Sequence, residues 1–147
     1  MERLPYIDEH SISIGATREQ VWQALVRRVG STFRVAEGPI VRVLGLTPAR
    51  AAGEWHRVVR RDDTLPGFAV TEAHPPRRLE LQGRHRFSRY ALIFELDQAE
   101  AEGCILRAQT WAEFPGLTGR VYRALVIGSG GHRVVVKRLL RDIASRA

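Results

Sequence analysis

The sequence holds a single cysteine, Cys104, so no disulfide can close within the chain and a thiolate-rich metal centre has too few ligands. It holds a single lysine, Lys137, and nearly all its positive charge is arginine. Apolar runs are short. Ala124–Ile127 falls far below the roughly 20 residues that cross a bilayer. The opening residues, Met1 to His10, contain no apolar stretch of the signal-peptide kind, so a cytoplasmic protein is the expectation. The histidines His10, His56, His74, His85 and His132 do not stand at metal-type spacing from one another or from carboxylates. No metal and no cofactor is therefore expected. Internal repeats, linkers and low-complexity stretches are absent too.

What remains is an ordinary globular composition, with 44% hydrophobic and 27% charged residues. A chain of 147 residues reads as one domain, 1–147, able to bury about two-thirds of its unfolded surface. The net charge of +7 raises nucleic acid, anionic lipid or another acidic partner. No RNP-like, zinc-finger or KH-type motif supports nucleic acid. A skew toward arginine also arises from genome base composition.

Tyr6–Ile14 ends in the alternation Ile12, Ile14 and predicts a strand. Thr17 and Gln20 form a capping box for a helix carrying Val21, Trp22, Leu25, Val26 and Val29, with Gly30 as its stop. Pro39–Leu46 and Glu54–Arg61 alternate as strands, and the Asp62–Gly67 segment reads as a loop. Phe68–His74 is a strand closed by Pro75 and Pro76, followed by strands over Arg78–Phe87, Ser88–Asp97 and Cys104–Phe114. A long helix then runs to about Arg146. Strands grouped between two helical segments favour an α+β architecture.

This order, with "ISIGATREQVWQAL" (Ile12–Leu25), the proline-ended strand "FAVTEAHPPRRLEL" and the terminal helix, resembles the helix-grip fold of the START-like (SRPBCC) superfamily. That group includes polyketide cyclases and dehydrases and lipid-transfer proteins. The resemblance implies a curved antiparallel sheet of about six or seven strands wrapped around a long C-terminal helix, with a short N-terminal helix. It also implies an apolar cavity between the two. Pockets for small ligands are commonly about 300–1,000 Å³ and mostly apolar.

The terminal segment carries Gly128, Gly130 and Gly131 around Ser129. Each glycine costs about 1 kcal/mol against alanine inside a helix. At about 100° per residue, Val121, Leu125, Gly128, His132, Val135, Leu139 and Ile143 form one apolar stripe. On that wheel Gly128 leaves room beside the sheet for a ligand or for close backbone approach, whereas Gly130 and Gly131 mark a kink or a short break. A phosphate cradle is the weaker reading, because the segment follows no strand and lacks the dinucleotide and P-loop spacings.

The candidate ligand-binding residues are His132, Gly128, His85, Tyr90, Leu92, Phe94, Trp111 and Glu72. His132, His85 and Tyr90 would orient a ligand, and Leu92, Phe94 and Gly128 would shape the wall. Each has a plainer reading as core; Trp111 is a wall aromatic or an exposed ring, and Glu72 faces inward only if it shares a face with Phe68 and Val70. The expected function is binding of a hydrophobic or aromatic, lipid- or polyketide-like molecule by a monomer or homodimer. Two alternatives stand beside it. One is a cyclase- or dehydrase-type enzyme moving a proton with His132 or Glu72. The other is an interaction protein with a filled cavity. The arginine-rich helix faces leave an anionic membrane surface as a further partner.

Overall fold

The computed structural model describes residues 4–34, 44–55, 58–128 and 130–147. Strand β1 (Tyr6–Ile14) leads into helix α1 (Arg18–Arg34). Strands β2 (Thr64–Leu65), β3 (Phe68–His74), β4 (Arg78–His85), β5 (Ser88–Gln98) and β6 (Cys104–Glu113) follow. The chain ends in helix α2 (Gly116–Arg123), a π-helical turn (Ala124–Gly128) and helix α3 (Gly131–Arg146). The sheet order is β1-β6-β5-β4-β3-β2, with every pairing antiparallel. This is the α+β helix-grip arrangement the sequence predicts, with six strands and helices against one face.

The capping box at the start of α1 is present. The Thr17 amide donates to Gln20 Oε1 at 3.0 Å, and the Gln20 amide to Thr17 Oγ1 at 3.2 Å. Gly30 does not stop the helix. It is buried against Trp55, whose Cβ lies 3.0 Å from where a Gly30 side chain would begin, so close packing explains the glycine. Trp55 is itself buried and donates its indole N–H to the Thr64 carbonyl at 3.0 Å.

The segment before the main sheet differs from expectation. Residues 39–43 of the expected strand Pro39–Leu46 lie outside the described residues, as do residues 56 and 57. The described part of Glu54–Arg61 is not a strand; Trp55 anchors a turn there instead. The expected loop Asp62–Gly67 contains β2, because Pro66 and Gly67 make a tight turn that folds Thr64–Leu65 back on β3.

The core lies on the concave face. Val21, Leu25 and Val29 of α1 meet Leu79, Leu81, Phe94, Leu96 and Leu106 of the sheet, with Leu139, Leu140 and Ile143 of α3 completing it. Truncating a fully buried member such as Leu25 would cost about 2–5 kcal/mol.

The terminal helix is not continuous. The π-helical turn and Gly130, at φ 79°, separate α2 from α3 and break the expected stripe. Val121, Leu125 and Val135 are exposed, whereas Val136, Leu139, Leu140 and Ile143 are buried. A left-handed residue resets the helical phase, so one wheel cannot describe both halves.

Candidate functional site

Strand register decides which side chains share the concave face. Asp8 pairs with Thr110, Thr110 with Leu92, and Leu92 with Leu81, forming one row across four strands. The adjoining row runs Ala112, Tyr90, Gly83. The first row borders the core, to which Leu81 and Leu92 belong, and the second lies beyond it toward the β4–β5 turn. Leucine and phenylalanine dominate the core rows; here the face becomes aromatic and polar.

The aromatic half centres on Tyr122 of α2. Its ring stacks on Phe87 at 5.4 Å, meets His85 edge-on at 4.9 Å and lies 6.2 Å from Phe114. The series continues from His85 to Tyr90 at 5.6 Å, Phe68 at 5.2 Å and Phe33 at 4.6 Å. All of these rings are only partly buried. Burial lowers the pKa of His85 and raises those of the Tyr90 and Tyr122 hydroxyls, so all three favour their neutral forms. The Phe87 amide donates to His85 Nδ1 at 3.0 Å. That bond makes Nδ1 the acceptor and places the proton of the neutral ring on Nε2, a ready donor. Tyr90 donates to the Gly67 carbonyl at 2.7 Å. Gly83 permits this contact: a Cβ there would fall on the Gly67 carbonyl oxygen.

The polar half centres on Asp8. One carboxylate oxygen lies 3.1 Å from His10 Nε2 and the other 3.3 Å from His132 Nε2, which is also 3.1 Å from Thr110 Oγ1. The side chains of Asp8, His10 and His132 are each less than a fifth exposed. Beside a carboxylate, His132 Nε2 is placed to donate its N–H to Asp8. Such a carboxylate-oriented imidazole can hold a ligand hydroxyl or move a proton.

Several sequence candidates lie elsewhere. Phe94 is fully buried among core residues rather than lining a wall, and Leu92, 8% exposed, sits where the core meets the site rows. Glu72 faces the convex side. A bulge between Val70 and Glu72 inserts one residue, so Val70 points inward beside Leu81 and Glu72 outward beside Glu80. There it joins Arg78, which also pairs with Glu80 and Glu95. Trp111 is on the convex side as well, edge-on to Tyr6 at 5.2 Å. Gly128 is exposed on the π-helical turn, with open space where a Cβ would stand.

Of the sequence candidates, the structure brings together His85, Tyr90, Leu92 and His132 on the concave side. It adds Asp8, His10, Thr110 and Tyr122. Alternation along β1 and β6 carries the signal for the first three, since Asp8, His10 and Ile12 share a face, as do Ala108, Thr110 and Ala112. Tyr122 had no such signal, because its direction depends on the break after α2. Among the described residues no group of His, Cys, Asp or Glu is arranged to hold a metal ion, and no helix is long and apolar enough to cross a membrane.

No protein-family model matches the sequence, and no curated protein matches it. Solved structures do resemble it. Mll3558 from Rhizobium loti aligns over 99% of this chain and 100% of its own, at 13% identity and a TM-score of 0.61. CalU16 from Micromonospora echinospora aligns over 98% of this chain and 91% of its own, at 16% identity and a TM-score of 0.55. Ara h 8.0201 aligns over 94% of each chain, at 10% identity and a TM-score of 0.53. At these identities the likeness is one of fold.

Proposed function

We propose that this chain binds a hydrophobic or aromatic small molecule between the concave sheet face and the C-terminal helical segment. The observation that carries the reading is the change along that face, from packed core to a partly buried end lined by Tyr122, His85, Tyr90 and Phe68. Aromatic rings left partly open beside fixed polar groups suit a ligand with an apolar body and few polar atoms. His85 Nε2–H supplies a donor, and His132, steadied by Asp8, supplies a second polar anchor. Apolar burial would supply affinity at about 25 cal/mol per Å² before the costs of association. The helix-grip fold shared with CalU16 and Ara h 8.0201 is consistent with this reading, and a polyketide- or lipid-like ligand is its most specific form.

The convergence of Asp8, His10 and His132 favours a second reading, an enzyme of the cyclase or dehydrase type working in the same place. His132 would be its base and Asp8 the group that orients it. Glu72, on the convex side, takes no part.

Titration with the neutral fluorophore N-phenyl-1-naphthylamine tests the binding reading. Saturable binding is expected, weakened about two- to ten-fold by His132→Ala, the range of one lost hydrogen bond or packing contact. Tyr122→Ser should weaken it further, and Trp111→Ala should leave it unchanged. Absence of saturable binding, or equal loss on Trp111→Ala, contradicts the reading. An enzyme would lose turnover on His132→Ala while retaining most of its affinity.

A further inference from the structure

Beyond the concave site, α2 and the π-helical turn present an outer face that core packing does not use. Leu117, Val121 and Leu125 recur every four residues along it and are 77%, 56% and 68% exposed. Val134 and Val135, in the first turns of α3, are similarly exposed. Scattered exposed apolar residues are ordinary, but five within nineteen consecutive positions at the break of one helical segment are not.

Charge in the same stretch is of one sign. From Phe114 to Arg141 there are six basic residues, Arg120, Arg123, Arg133, Lys137, Arg138 and Arg141, and no acidic residue. The whole chain has a net charge of +7, so this stretch holds most of the excess. Arg120 and Arg123 also border a groove of about 280 Å³ whose other walls are Ala124, Ile127 and Gly128. Gly128 leaves that wall open. Guanidinium groups beside an apolar floor match a phosphate headgroup above acyl chains.

We propose that this face docks on an anionic lipid bilayer. Leu117, Val121 and Leu125 enter the headgroup boundary, and Arg120 and Arg123 engage phosphates beside them. Short apolar insertion and basic attraction are each weak alone, and together they give reversible membrane association. A second copy of this chain accounts for the apolar stripe but not for the charge, since two such faces repel each other. The proposal does not depend on a ligand in the concave site.

Co-sedimentation of the full chain with vesicles tests it. Binding is expected to phosphatidylcholine vesicles containing phosphatidylserine, much less to phosphatidylcholine alone, and should fall as salt is raised. Leu117→Ser with Leu125→Ser should weaken it about ten-fold or more. Arg120→Gln and Arg123→Gln should each weaken it about five-fold, and Arg61→Gln, outside the stretch, should not. All the substituted side chains are exposed, so thermal melting should stay unchanged. The serine pair should also leave naphthylamine binding intact, which separates this proposal from the concave site. It is overturned if serine-lipid vesicles are not bound, or if binding ignores the leucine pair. It is equally overturned if the chain is a dimer that the serine pair turns into a monomer while vesicles are never bound.

Discussion

His85 shows how one residue joins structure to pH response. Its Nδ1 accepts the Phe87 amide while its ring lies among Phe87, Tyr90 and Tyr122. Burial lowers its pKa from the ordinary value of 6.5. The unfolded chain therefore takes up a proton first as pH falls. The stability due to neutral His85 is fully present above about pH 6.5 and is lost as pH drops toward the lowered folded value. The relevant quantity is the difference between the parent chain and a variant without the imidazole. Denaturant melts across that window should show a shallower acid loss for His85→Phe than for the parent chain. Equal slopes would mean that the ring is not desolvated. The legible part of the site was at this scale: alternation placed His85, Tyr90 and Leu92 on an inward face, and their pairings agree. Glu72 was ambiguous because one inserted residue in β3 reverses every side chain beyond it, and a bulge leaves no reliable mark in composition.

Among the elements, α1 was the easiest to read, because its capping box and its apolar spacing agree. Its end was less legible. A glycine reads as a helix stop unless a distant ring, here Trp55, requires close approach. The terminal segment has a helical pattern whose Gly130 and Gly131 mark a kink or a short break, and the structure breaks the helix at Gly130. Gly130 holds φ 79° and ψ 1° at the start of α3, a conformation in which a side chain is strained. Gly130→Ala should therefore destabilise the fold by about 1–2 kcal/mol. Gly128→Ala meets nothing within 4 Å and should be neutral or slightly stabilising. A urea melt of each variant checks the contrast. If both glycines respond alike, the helix does not break where the structure breaks it. On α2, before the break, Tyr122 lies against His85 while Leu117 and Val121 stay exposed, as does Leu125 on the π-helical turn.

For the whole molecule, sequence order was enough to indicate strands grasping a terminal helix. Hydrophobic periodicity constrains each strand's inner face, and short connections between strands constrain their order. Less of the site was legible, since Asp8 and His132 are 124 residues apart and meet only through the antiparallel return of β1 beside β6. Sheet and helix together produce a packed core at one end and an aromatic, polar surface at the other. This second end is the proposed seat of an apolar ligand. Native mass spectrometry of the chain purified from its own host, with no ligand added, addresses it most directly. A reproducible additional mass is expected that leaves on denaturation and is diminished in Tyr122→Ser but kept in Trp111→Ala. A bare chain in every preparation, or an added mass indifferent to Tyr122, would contradict it.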